Sequence, residues 1–287
     1  MSAQQAAAMK ARHAENVRRA KAIRAAEQER AAQAAARGWA KYQPVSATPS
    51  EYLARKGVGG HGVRYSPSGN GTIAIPICDD TGKVWGLQIV RGRDGGKRLE
   101  KQYWPAGMNK AAHYHMLGAP GAVILLAEGY ATAATLFEAT GLCVVAFDAD
   151  NLMPVAQALH KSYPKAYILA CADDDYLTKD PHGNPWNPGV EAAQAAATAV
   201  RGGWVEPEFP GDREGKKLTD FNDLQHFPLG GQALVRAQIE MALAAAGHDA
   251  AAVGRPGLRT GGFGRPGTQP GGRGRRKTSR RSCHASG

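Results

Sequence analysis

Four acidic residues stand where two short apolar runs stop. Glu128 follows AVILLA and precedes Gly129, while Asp173, Asp174 and Asp175 follow AYILACA. Each run has the length of a strand and leads into a helical pattern, the first of them YATAATLFEAT, an alternation that predicts a parallel sheet covered by helices. Ligands of such sheets sit beyond the carboxyl ends of the strands. Residues two apart in extended chain face the same side, so Asp173 and Asp175 can address one ion while Asp174 points away. With a Glu from the neighbouring strand end, they supply the hard oxygen ligands that magnesium requires. Without a cation, acids so placed repel one another. Each also has a plainer reading, Glu128 as a first-turn acid at a helix dipole and the aspartates as turn or cap formers. Their joint order favours a metal site. A third run, CVVAF, brings Asp148 and Asp150 to the same edge, where they and Asp174 are read as bystanders.

The rest of the chain must position these acids. Its 287 residues, 43% of them hydrophobic, suffice for one or two domains with a real core. Residues 1–42 form an Ala/Arg-rich stretch of strong helix formers with almost no large apolar residues, which predicts a long solvated helical extension. Met9, Val17 and Ile23 do not make a heptad seam. Residues 43–119 predict a small α+β subdomain. Ser50 and Gly57 bracket a short helix, and TIAIPICD and KVWGLQIV form a hairpin across Asp79-Asp80-Thr81-Gly82. Residues 120–246 carry the α/β pattern, and 247–287, rich in Gly, Arg and Pro, predict a disordered basic tail.

The net charge is +11, with +6 in residues 1–41 and +9 in residues 250–287, which leaves −4 for the stretch between. The basic ends suit phosphate contacts without sequence specificity, or serve only as solvating extensions. No apolar run approaches the roughly 20 residues of a membrane span, and the expectation is a soluble, cytoplasmic protein. The four cysteines are far apart, which argues against a disulfide framework or a zinc ribbon.

In the order Glu128-Gly129, a middle strand, then Asp173-Asp174-Asp175, the sequence resembles the Toprim domain of bacterial primases, topoisomerases and some nucleases. The resemblance covers about residues 120–226 and implies a Toprim-like sheet in which Glu128, Asp173 and Asp175 bind a catalytic Mg2+ or Mn2+. The stretch Lys217-Leu218-Thr219-Asp220-Phe221-Asn222-Asp223 is similar to an Asp-x-Asn-Asp element of phage and plasmid primases. It implies Asp220 and Asp223 as the second side of the metal site, a helix N-cap being the alternative. The insertion from Tyr176 to Trp186 departs from the usual spacing and leads to a helix with Asn187 as N-cap and Pro188 first.

Residues 75–118 resemble the segment that precedes Toprim in plasmid and phage-type primases. There Gln88, Arg91, Lys97, Arg98 and Lys101 gather near Tyr103 and Trp104, as a solvated basic hairpin or a nucleotide-binding one. The resemblance implies Lys97, Arg98, Lys101 and His115 as triphosphate contacts. His113 and His115 lack further ligands at metal spacing and read as nucleotide or structural contacts. The implied activity is that of a DNA primase, a nucleotidyltransferase that makes short RNA primers from ribonucleoside triphosphates on single-stranded DNA in plasmid, phage or mobile-element replication. The implied partner is a replicative helicase. The chain departs from replicative primases in lacking a zinc ribbon and a Walker A sequence. The alternatives are a Toprim-type metal-dependent nuclease and a non-catalytic single-stranded-DNA-binding accessory protein.

Overall fold

The computed structural model describes residues 3–93 and 98–249. Lys97 and all of the basic tail beyond residue 249 therefore lie outside the described residues. The fold opens with helix α1 (Ala3–Lys41), then a short α2 (Glu51–Lys56) and a four-stranded antiparallel sheet. That sheet comprises β1 (Arg64–Tyr65), β2 (Ile73–Cys78), β3 (Val84–Arg93) and β4 (Arg98–Trp104), side by side in that order. The β2–β3 hairpin turns at Asp79, whose carboxylate accepts bonds from Thr81 N and Lys83 N, both 3.0 Å. α2 stops at Gly57, in the left-handed region at φ 59°. Ser50 precedes α2 but makes no side-chain capping bond.

α1 is not solvated along its whole length, contrary to the sequence expectation. Ala31, Ala32 and Ala35 are buried, and Ala35 packs with Ala74 and Leu87 on the outer face of the antiparallel sheet. Alanines make no large apolar stripe for sequence periodicity to detect, yet their small side chains let the helix settle close to the strands. Arg64 locks the junction from below, its guanidinium 4.4 Å from the Trp39 ring centre and its Nη1 donating to Trp39 O at 3.1 Å.

The second sheet has the order β5 (His115–Gly118), β7 (Leu142–Val145), β6 (Val123–Ala127), β8 (Tyr167–Cys171), β9 (Gly203–Val205). β5 runs antiparallel to β7; the other four strands are parallel. Its strands alternate between two cores, as a sheet covered on both faces requires. Val123, Leu125 and Ala127 point into one core with α3 (Tyr130–Thr140), α6 (Phe221–His226) and α7 (Gln232–Ala245). Ile124 and Leu126 point into the other with α4 (Leu152–Ser162) and α5 (Pro188–Val200). Ile73, Ile75 and Ile77 of β2 belong to the first core, so the two sheets share it, and Cys78 bridges to Tyr114 just before β5. β5 thus lies in the second sheet, although the sequence reading grouped it with the preceding subdomain.

Candidate active site

The register makes the strand ends flush. Ala127 pairs with Val145 on one side and with Cys171 on the other, so the residues after them emerge together at the carboxyl edge. There Glu128 leads into α3, and Asp173 to Asp175 open the loop toward α5. That loop is held from two directions. Asn187, the N-cap of α5 as expected from sequence, accepts from Asp175 N at 2.9 Å and donates to Asp174 Oδ1 at 2.7 Å. Gly189 lets the first turn of α5 approach the backbone of Asp173, where a Cβ would collide with the Asp173 carbonyl.

The three consecutive aspartates have different surroundings. Asp174 is paired with Arg213, Nη1 to Oδ2 2.7 Å, and Asp174 N donates to Thr219 O at 2.7 Å. It is a structural anchor. Asp173 Oδ1 is buried and has no hydrogen-bond partner. Burial first, then the charges of Asp220, Glu128, Asp175 and Asp223, push the Asp173 carboxyl well above the usual range. Glu128 is raised by burial and by Asp175, against the opposing pull of Lys101. These acids lie within electrostatic reach, yet among the described residues no three are already gathered at metal-ligand spacing.

Asp220 and Asp223 form a capping box at the start of α6. Asp223 N donates to Asp220 Oδ1 at 2.7 Å, and Thr219 N donates to Asp223 Oδ2 at 2.9 Å. Thr132 Oγ1 donates to Asp220 Oδ2 at 3.1 Å, tying α6 to the first turn of α3. The Asp220 carboxyl is raised by burial and by Asp223, with Lys56 opposing. The N-cap alternative is thus realised, and it places both aspartates at the edge of the cluster. Between them Asn222 is buried and donates to Lys56 O at 2.8 Å and to Thr135 Oγ1 at 3.0 Å.

Lys56 is a residue the sequence reading missed. Its Nζ stands 3.9 Å from Asp223 Oδ1, brought there by Asn222. Before Gly57 it looks like an ordinary basic residue at a helix end, and no local signal distinguishes it. Opposite it, Lys101 on β4 faces the cluster, its ammonium 5.7 Å from the Tyr52 ring centre. Burial and Lys56 lower its pKa, and Asp220, Glu128 and Asp173 oppose that. Tyr103, two residues along on the same face, donates to Phe147 O at 2.9 Å, and Phe147 N donates to Glu128 O at 2.8 Å. Phe147 adopts φ 79°, a strained conformation for a side-chain-bearing residue, at the step beside Glu128.

Other predicted residues are not brought to the acids. Strand alternation turns Arg98 to the opposite face of the antiparallel sheet, with Glu100 and Trp104. There Arg91 and Glu100 make a two-bonded pair, 3.0 and 2.9 Å. His115 is buried, its Nε2 3.1 Å from His61 O and its ring stacked on Tyr130 at 6.2 Å. Burial lowers its pKa to about 4, and it is a neutral packing residue rather than a nucleotide contact. Asp148 caps the following turn through Asn151 N, 3.1 Å, and pairs with Lys110.

Fold and site define an α/β protein with a carboxylate cluster at the carboxyl edge of a parallel sheet, faced by lysines from an antiparallel sheet and its helix. No protein-family model matches the chain. Two of its sequence relatives carry the name DNA primase. DNA primase TraC of Escherichia coli is 38% identical over 220 residues, 73% of this chain and 14% of that protein. A second Escherichia coli protein named DNA primase TraC is 39% identical over 202 residues, 67% of this chain and 18% of that protein. The chain thus spans less than a fifth of the length of either relative. Among solved structures, the DnaG primase catalytic domain bound to ssDNA matches 76% of this chain and 80% of its own at 16% identity, with a TM-score of 0.48.

Proposed function

We propose that this chain carries the catalytic core of a DNA primase, in which a Toprim-type acid cluster directs metal-dependent synthesis of short RNA primers on single-stranded DNA. The observation that carries the reading is the buried, partnerless Asp173 Oδ1 set among like charges. A buried anion without a partner costs several kcal/mol unless a cation or a proton answers it. The donor set suits Mg2+ or Mn2+, which take hard oxygen ligands and keep positions open for phosphates. Glu128, Asp173 and Asp175 would hold the ion. Asp220 and Asp223, whose oxygens already receive backbone and Thr132 bonds, would add negative field at its second side.

A bound divalent ion supplies Lewis-acid stabilisation of phosphoryl oxygens and makes a nearby hydroxyl more acidic. The remaining tasks fall to this chain. Lys101 and Lys56, on the two walls beside the acids, orient the triphosphate of an incoming ribonucleotide. Tyr103 fixes the Phe147 carbonyl and so braces the backbone at Glu128. The relatives named DNA primase support this chemistry over a nuclease built on the same acids. Plasmid or phage context and a helicase partner belong to the same proposal.

Circular single-stranded DNA incubated with the chain, labelled ribonucleotides and Mg2+ tests it. Short labelled RNA is the expected product, and Asp175→Asn should abolish it while sparing DNA binding. Nicked circles without RNA would establish the nuclease, binding alone the accessory protein, and full synthesis by the variant would sink the acid assignment.

A further inference from the structure

Among the described residues, α1 packs against the body only along its C-terminal part. From residue 28 onward it settles onto the antiparallel sheet, and Lys83 Nζ pairs with Glu29 at 2.6 Å. Every residue from 4 to 27 is exposed. At 1.5 Å per residue these 24 residues make a helical arm about 36 Å long. The arm holds Lys10, Arg12, Arg18, Arg19, Lys21 and Arg24 against Glu15 and Glu27, a net charge of +4. Among the described residues none of the six basic side chains is in an ion pair.

The distribution of these charges selects the occupant. Successive helical positions turn by about 100°, which puts Lys10, Arg18, Lys21 and Arg24 on one side of the arm within about 120° of arc and Arg12 and Arg19 on the opposite side. Met9, Val17 and Ile23 lie within about 120° of one another on the helix, but three apolar side chains in 24 positions are too sparse for a coiled-coil seam or for the continuous apolar face that a lipid surface requires. What suits such an arm is a flexible polyanion read through its backbone without register. The body from 42 to 249 is net −4 and offers such a ligand little long-range attraction.

We infer that the free part of α1 is a binding arm for the phosphate backbone of single-stranded DNA, delivering template toward a body that is itself acidic. This rests on the proposed primase reading. The anchoring of residues 28–41 gives the arm a fixed root, unlike a disordered tail, so it supplies charge at a set place beside β3.

The test replaces Lys10, Arg12, Arg18, Arg19, Lys21 and Arg24 together with Gln, which keeps helix propensity, in the full chain. Helical content by circular dichroism should stay unchanged. Affinity for a fluorescent oligothymidylate is measured across salt concentration. Each lost phosphate contact on single strands lowers the slope of log K against log salt by about 0.7. Loss of three or more contacts should thus lower the slope by about 2 and weaken binding at least tenfold at 0.1 M salt. An unchanged slope, or no binding by either protein, overturns the inference. So does sedimentation showing a wild-type dimer that the substitutions dissolve, since the arm would then serve a second copy of the chain. Primer synthesis at saturating template separates the two readings: its retention by the variant leaves the primase proposal standing whichever way the slope falls, and its absence from both proteins sinks that proposal instead.

Discussion

The seam between the two sheets and the carboxyl edge of the parallel sheet both bury groups that can carry charge, and they treat them oppositely. At the seam each such group is kept neutral or answered. His115 is bonded to the His61 carbonyl, Tyr130 Oη donates to Gly59 O at 3.1 Å, and the partly exposed Asp79 in the adjoining β2–β3 turn accepts from Thr81, Lys83 and Trp85. At the carboxyl edge Asp173 Oδ1 has no donor, and Glu128, Asp175 and Asp220 stand by it with charges of the same sign. Packing explains the seam completely. It leaves the edge unexplained, and the proposed metal site accounts for it.

The sharpest way to break this contrast is to neutralise one acid of each kind. Asp173→Asn and Glu128→Gln should each lower primer synthesis by roughly 10²–10³-fold or more, the loss typical of removing one electrostatic stabiliser of a phosphoryl or acyl transfer. Asp174→Ala, next in the chain, should cost stability instead, about 1–3 kcal/mol in urea unfolding, because it strips Arg213 and Asn187 of their partner. Synthesis that falls further in the Asp174 variant than in the Asp173 variant would reverse the assignment.

At the seam the prediction concerns pH. His115 holds its neutral form down to about pH 4 in the fold, whereas an unburied histidine titrates near 6.5. Its contribution to stability is therefore fully present above about pH 6.5 and is lost as pH falls from there toward 4. The difference between wild type and His115→Gln in unfolding free energy should change by on the order of 3 kcal/mol across that window. Parallel curves would show that His115 takes up its proton as readily in the fold as in the unfolded chain.

Much of this contrast was legible in the sequence, because strand-length apolar runs ending in acids encode both the sheet and its ligand edge. That Glu128, Asp173 and Asp175 emerge at one edge needed no tertiary knowledge. What stayed hidden depended on contacts between distant segments. Lys56 reaches the site only because Asn222, far along the chain, holds its carbonyl. His115 sits in a basic, aromatic stretch and looks like a ligand contact until β5 is seen to pair with β7. Arg98 and Lys101 share a sequence cluster, but strand alternation sends them to opposite faces. The docking of α1 escaped because alanine carries too little apolar area to mark a face.

That alternation gives a milder test. Lys101→Ala should raise KM for ribonucleoside triphosphates about tenfold, as fits the loss of one partly desolvated charge contact to phosphate. Arg98→Ala should leave KM within about twofold. Equal effects would mean that the triphosphate lies across both faces of the hairpin, contrary to the orientation of Lys101 toward Glu128 and Asp173.

The smallest effect is also the most direct probe of the unanswered charge. The Asp173 carboxyl titrates above its ordinary range in the metal-free fold. Between those two values the unfolded chain has released the proton that the folded chain retains, so stability declines as pH rises through that window. At pH 7 without divalent ions, Asp173→Asn should therefore be more stable than wild type and unfold at a higher Tm. Millimolar Mg2+ or Mn2+ should raise the Tm of the wild type, because an ion that binds only the folded state stabilises it by mass action. The same ions should leave the Asp173 variant nearly unmoved. A metal-free variant less stable than wild type would mean that Asp173 already has its counter-charge within the protein, and the contrast between edge and seam would fall.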